Sequence, residues 1–205
     1  MPGRFLVLDG PDGAGKTTQA ARLADRLRGG GEEVLALREP GATPAGEAIR
    51  DLILDSDVDL SPLAEMLLYQ AARAHLVETM VRPALAAGRT VVLDRYAYST
   101  LAYQGYGLGL DIEAVRAVTR VATGGLEPDL ALFLDLDPET GLRRIAGDRD
   151  RIERRPLEYH RRVREGFLAE AARLGPRALV VDASRPPDAV AAAIERAVAS
   201  AGRGA

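Results

Sequence analysis

An α/β fold, with a five-stranded parallel sheet flanked by helices, is what this sequence predicts from three observations. Short apolar runs recur along the 205 residues, and each ends in a charged residue. The runs are continuous rather than alternating, as strands covered on both faces are. Helical patterns lie between them, so consecutive runs read as βαβ units with right-handed crossovers.

The strands, in order, are Arg4 to Asp9 (RFLVLD), Glu33 to Arg38 (EVLALR), Thr90 to Asp94 (TVVLD), Leu130 to Asp135 (LALFLD) and Ala178 to Asp182 (ALVVD). The longest helical segment runs from about Pro62 to Ala87. Ser61 suits its cap, Pro62 its first position and Gly88 its end, and Pro83 should kink its last turns. Further helices are expected over Lys16 to Arg28, Pro44 to Leu54, Ile112 to Ala122, Pro138 to Ala146, Pro156 to Leu174 and Pro187 to Ala199. The charged stretch AGDRDRIERRP, about 146–156, reads as an exposed, mobile segment, and the tail, about 200–205, as disordered. No repeat or linker divides the chain, so residues 1–205 are expected to form one domain.

Composition narrows the class. With no cysteine, a disulfide framework and a cysteine nucleophile are excluded. No run reaches the roughly 18 apolar residues of a membrane span, and the N-terminus enters a strand pattern directly, so a cytoplasmic protein without membrane contact is expected. A net charge of -3 argues against a broad nucleic-acid surface. Among 27 basic residues the one lysine is Lys16, at a position that requires a flexible ammonium rather than a planar guanidinium.

In open sheets of this kind, ligands sit beyond the carboxyl ends of the strands, here at Asp9, Arg38, Asp94, Asp135 and Asp182. The first strand opens into GPDGAGKT, which matches G-x-x-x-x-G-K-[ST] and leads into a helix. Gly10, Pro11, Asp12, Gly13, Ala14, Gly15, Lys16, Thr17 and Thr18 thus form a phosphate cradle for a nucleoside triphosphate. Thr17 offers a hydroxyl to Mg²⁺, and Asp94 sits at a strand end where an acid near that ion is expected, with Arg95 beside it. Asp12 is unexpected, a negative charge within a loop that holds phosphate. Tyr69 and Arg73 share a helix face, which suits either a stacked base or a core aromatic with a surface arginine. The run STLAYQGYG reads either as a ligand-contacting stretch or as a glycine-punctuated surface loop. Glu39 precedes Pro40 just past a strand end, which favours extended backbone there. His75 and His160 lack partners at metal spacing and read as structural.

The stretches LDGPDGAGKTTQ, REPGATPAGEAIR, LLYQAAR, VVLDRYAYSTLAYQGYG, PDLALFLDLDPETGL, DRIE and VVDAS, in this order, resemble the thymidylate kinase family. The resemblance implies a P-loop nucleoside monophosphate kinase-like fold with a short lid, phosphorylation of dTMP by ATP with Mg²⁺, and a homodimer. It implies Tyr69 stacked on thymine, Arg73 at the base edge, and Ser99, Thr100 and Gln104 in the stretch that contacts the base. Tyr103 would crowd the sugar's 2′ position, and Asp12 would approach its 3′-hydroxyl. Arg95 would hold the acceptor phosphate, with Glu39, Pro40 and Arg50 beside it. Three features depart from or subdivide the family pattern. Ala42 replaces a glycine, the stacking ring is Tyr rather than Phe, and Gly13 occupies the position where eukaryotic members carry an arginine. That last feature matches the bacterial type, in which lid residues Arg149 and Arg151, with Arg143 or Arg154 behind them, supply charge to the transferred group. Another P-loop nucleotide or nucleoside kinase and a P-loop ATPase or switch remain alternatives. A guanine-specific [NT]-K-x-D motif is impossible with Lys16 as the one lysine.

Overall fold

The computed structural model describes residues 3–54, 58–145 and 150–201. Strands β1 (Phe5–Asp9), β2 (Val34–Arg38), β3 (Thr90–Asp94), β4 (Leu130–Asp135) and β5 (Ala178–Asp182) form one parallel sheet in the order β2-β3-β1-β4-β5. The register places Leu8 beside Asp94 and Asp9 beside Phe133. The chain lays β2 and β3 on one side of β1 and then crosses to the other side. The crevice of an open sheet therefore falls at the end of β1, where the glycine-rich loop begins.

Alternate residues of the buried strands serve different cores. Phe5, Val7, Val91, Leu93 and Phe133 pack with Tyr96, Tyr103 and Phe167 on one face. Leu6, Leu8, Val92, Leu132 and Leu134 face the other way, against Leu23 of α1 (Lys16–Gly29) and Val190, Ile194 and Val198 of α9 (Pro187–Ala201). Each fully buried aliphatic side chain contributes about 1.5–3 kcal/mol. Helix α9 extends through Ser200 and Ala201, which were expected in a disordered tail; residues 202–205 lie outside the described residues.

Helix α2 spans Pro44–Leu54, and α3 (Pro62–Leu76) is capped by Ser61, whose Oγ accepts from the Ala64 N–H at 3.3 Å. A π-helical turn at Val77–Val81 joins α3 to α4 (Arg82–Ala86). Pro83 cannot donate to the carbonyl one turn back, and the wider turn just before it absorbs the mismatch that predicted a kink.

The largest surprise follows β3. Residues Ala97–Thr100 form α5, and Leu101–Gly107 continue as a second π-helical turn. The surface-loop reading is therefore corrected, because Leu101, Ala102, Tyr103 and Gln104 are buried. The glycines serve close packing: a Cβ on Gly107 would meet Cε2 of Tyr159 at 2.6 Å. The remaining helices are α6 (Ile112–Thr123), α7 (Pro138–Arg144) and α8 (Leu157–Leu174).

A second correction concerns the charged segment. Among its described residues, Ile152 is buried in the core, and Arg151 and Arg155 are ion-paired with Glu65. Ile152 and the buried acid Glu65 thus draw residues 151, 152 and 155 out of the exposed class that composition alone suggests. Among the described residues, no helix is long and apolar enough to cross a membrane.

Candidate active site

The loop from Gly10 to Gly15 leaves β1 with positive φ angles at Gly10, Gly13 and Gly15 (141°, 74° and 84°), which L side chains rarely adopt. It also presses on α7, where a Cβ on Gly13 would collide with the Gly141 carbonyl. A larger residue at 13 has no room. Lys16 is buried and its Nζ donates to the Pro11 carbonyl at 2.7 Å. Burial, helped by the nearby Arg95 charge, lowers its ammonium from 10.5 to about 8. A phosphate anion arriving here would restore the proton that burial disfavours.

The Thr17 hydroxyl donates to Asp94 Oδ2 at 2.6 Å, while Asp94 Oδ1 is buried without a partner. A hard, oxygen-preferring cation fits this arrangement, since it would satisfy both the hydroxyl oxygen and the orphaned carboxylate oxygen. Asp9 has a different task. Its carboxylate accepts from the N–H groups of Gly10, Tyr96 and Ser99 and from Ser99 Oγ, so it fastens the turn after β3 to the end of β1. Burial pushes its carboxyl above the ordinary range, against the Ser99 and Arg95 contacts.

That fastened turn aims Arg95. Its φ of 69° is a left-handed value for a non-glycine residue, and its N–H is pinned to the Leu8 carbonyl at 2.9 Å. Strain of this kind costs on the order of 1–2 kcal/mol and marks a position where side-chain direction matters. Arg95 donates to Asp12 Oδ1 at 2.5 Å and to the Tyr103 hydroxyl at 3.3 Å. Burial raises the Asp12 carboxyl, but Arg95 and Lys16 outweigh it and hold it below the ordinary value. The second oxygen of Asp12 is buried and unpaired. The misplaced acid of the phosphate loop thus belongs to an arginine in the turn just past the neighbouring strand.

A cavity opens beyond this pair. It is lined by Asp12, Arg95 and Tyr103, by Pro40 and Arg50, and by Tyr69, Ser99, Thr100 and Gln104. Leu54, Asp150, Ile152 and Glu153 complete the lining; the last three belong to the DRIE stretch, though none of the four was expected as a site residue. Arg50 donates to the Pro40 carbonyl at 3.2 Å, following a cis peptide between Glu39 and Pro40.

Arg73 and Glu39 stand behind the wall. Arg73 is 1% exposed and donates to Glu39 Oε2 (2.7 Å), Gln70 Oε1, Thr100 Oγ1 (both 2.8 Å) and the Tyr96 carbonyl (2.9 Å). The surface-arginine reading is thus excluded. Burial raises the Glu39 carboxyl to about 7 despite Arg73. A network this dense fixes Thr100 and the start of α5 from behind.

The other sequence candidates fall elsewhere. Arg151 donates to Glu65 Oε2 at 2.7 Å and to the Ile53 carbonyl at 2.9 Å, so it is engaged by α2 and α3 rather than by the phosphate loop. Arg149 lies outside the described residues. Arg143 is exposed and donates to Thr140, whereas Arg144 lines a second groove with Gly13, Gly15, Thr18, Ala183 and Arg185. His160 is buried, with burial lowering its imidazole below the ordinary value, and packs edge-on to Tyr159. Asp9, Glu65 and Arg144 were missed as site residues. For Asp9, the signal was its place at a central strand end; Glu65 and Arg144 carried none that spacing reveals.

A family model described as Thymidylate kinase matches residues 8–194. The chain is 52% identical over 202 residues to a thymidylate kinase of Deinococcus radiodurans, covering 98% of each. It is 53% identical over 188 residues to one from a Synechococcus species, covering 92% of this chain and 90% of that one. Among solved structures, it resembles a thymidylate kinase from Ehrlichia chaffeensis with a TM-score of 0.80 and 28% identity, over 97% of this chain and 99% of that one.

Proposed function

The chain belongs to the thymidylate kinase family and is a phosphotransferase that phosphorylates dTMP; we propose that ATP is its donor and that the two depressions flanking Asp12 hold the two nucleotides. The phosphates of ATP lie on the Gly10–Thr18 loop with Lys16 as counter-charge, and its nucleoside lies in the groove of Arg144 and Arg185 with Arg143 nearby. Thr17 and Asp94 hold Mg²⁺, a reading supported by the unpaired Asp94 Oδ1. Bound there, the ion neutralises charge on the donor oxygens.

The base of dTMP rests on Tyr69 with Thr100 and Gln104 at its edge, and Arg73 braces that edge from behind. Tyr103 and Ser99 flank the sugar, and Asp12 offers its unpaired oxygen to the 3′-hydroxyl. Arg95, with Arg50, Glu39 and Pro40 beside it, receives the acceptor phosphate. Because that acceptor is already an anion, no general base is needed; alignment and charge neutralisation do the work. The observation that carries this reading is the cavity that ends on the phosphate loop at Asp12 and is walled by Arg95.

With no room for a side chain at position 13, the loop adds no second cation beside Lys16, and further charge on the transferred group is met from outside it. Arg149 and Arg151 supply it, Arg151 by exchanging Glu65 for the donor as the segment closes and excludes water. Exposed Leu52, Leu63 and Leu67 on α2 and α3 support a homodimer through that face.

ADP release from ATP across a panel of nucleoside monophosphates, with a no-acceptor control, tests this reading. dTMP should be the preferred acceptor and the control near zero. Acceptor-independent release, or a different preferred monophosphate, would overturn it.

A further inference from the structure

Glu65 is fully buried on α3, one helical turn before Tyr69. Its Oε1 accepts from Gln104 Nε2 at 2.9 Å, and its Oε2 accepts from Arg151 Nη2 at 2.7 Å and Arg155 Nη2 at 2.6 Å. Arg155 is held in turn by the Tyr159 hydroxyl at 2.8 Å and lies over that ring, 4.7 Å from its centroid. A buried carboxylate needs this charge balance, and the two guanidiniums provide it from the segment above.

We propose that Glu65 is a positioning residue: it fixes which way the Gln104 amide faces, and thereby makes the pocket select a base with a ring N–H. The proposal rests on reading the cavity as the dTMP base site. A carboxylate only accepts hydrogen bonds, so it admits the amide nitrogen and turns the amide oxygen away. Gln104 is 1% exposed and lines the cavity, so the oxygen turned away from Glu65 is the end left for a ligand. Thymine presents N3–H, a donor, and this oxygen accepts from it. Cytosine presents an unprotonated N3 at the same edge, and two acceptors then face each other without a proton between them. Arg73, behind the wall, has its guanidinium taken up by Glu39, Gln70, Thr100 and the Tyr96 carbonyl, so it brings no proton to that edge. Discrimination between the two pyrimidines is thus set by an acid that touches neither.

The test compares kcat/KM for dTMP and dCMP, with ATP saturating, in the wild type and in Glu65→Gln. A glutamine at 65 donates as readily as it accepts, so the Gln104 amide is free to turn. The dTMP-to-dCMP ratio should fall about tenfold, the scale of one mispaired buried polar group. Glu65→Asp, which keeps an acceptor-only group, should retain more of the ratio. In a Gln104→Ala background, Glu65→Gln should change the ratio no further, since the two residues act as a unit. General damage to the fold would lower both activities and leave the ratio in place. A wild type that prefers dTMP, with Glu65→Gln keeping the full ratio, would overturn the proposal alone; a wild type without that preference would overturn the base reading as well. A second readout needs no variant. The Gln104 side-chain NH₂ should give a slowly exchanging NMR signal with and without dTMP, and a freely exchanging one would overturn the proposal.

Discussion

The glycine-rich cradle and the cavity beyond it meet at Asp12 and Arg95, yet they are built by opposite means. The cradle is made of backbone: three glycines at positive φ, a helix N-terminus, and one lysine folded onto the Pro11 carbonyl. Its functional groups are left under-satisfied, as the unpaired Asp94 Oδ1 and the lowered Lys16 ammonium indicate. The cavity is made of side chains held by other side chains: Glu39 and Gln70 hold Arg73, Arg73 holds Thr100, and Glu65 holds Gln104. One region waits for charge; the other is braced by side-chain pairs, with Asp12 Oδ2 and Glu39 Oε1 left open, and offers shape. A change in the cradle should therefore cost turnover, while a change behind the cavity wall should cost stability and acceptor recognition.

The largest expected effect tests the cradle. Lys16→Ala should lower kcat by roughly 10²–10³-fold, the scale of one lost preorganised charge, with little change in melting temperature. A variant that melts much earlier with near-normal kcat would reverse the contrast. Next is Arg73→Ala, which strands Glu39 in the interior. Breaking a buried pair costs about 3–5 kcal/mol, which is roughly 10 °C in a domain this size by differential scanning calorimetry. A melting temperature within a degree or two of wild type would show that the wall needs no brace.

A smaller effect separates the regions by pH. Lys16 in the free protein loses its proton near pH 8, far below its ordinary 10.5, so the cradle carries its ammonium below that pH and not above it. Affinity for a non-hydrolysable ATP analogue should be level below about 8 and fall as pH rises through it, by up to about tenfold per unit, because binding must then take up a proton. dTMP affinity should show a weaker slope there, and equal slopes would erase the distinction. Smallest is Ala42→Gly. Ala42 sits at φ 62°, a left-handed value, and its N–H is fixed on Glu47 Oε1 at 2.9 Å. Removing the Cβ should stabilise by about 1 kcal/mol, partly offset by the freer unfolded chain, and thermal melts should register a rise of a few degrees at most.

The same contrast explains what the sequence made legible. Three strands were predicted to the residue, and the phosphate loop was readable in full, because continuous apolar runs and glycine spacing follow directly from backbone rules. The acceptor residues came from a resemblance, and the geometry gathers Tyr69, Ser99, Thr100, Tyr103 and Gln104 in one cavity. Their supports were not legible. Glu65 lies in an ordinary helical pattern, and its role depends on Arg151 and Arg155, 86 and 90 residues away. The stretch after β3 was hard to read because Gly105 and Gly107 imitate a turn while serving close contacts with Ile112 and Tyr159. Asp12 was legible as an anomaly and became intelligible once Arg95 was beside it.

Calorimetric titration of dTMP without ATP, into Thr17→Ala and Tyr69→Ala side by side, tests the division of labour most directly. Thr17→Ala should bind dTMP with wild-type affinity, since only the cradle is altered. Tyr69→Ala should bind about tenfold more weakly or worse, the scale of one lost stacking partner. Loss of dTMP binding in Thr17→Ala, or full retention in Tyr69→Ala, would contradict the assignment of the cavity to the acceptor.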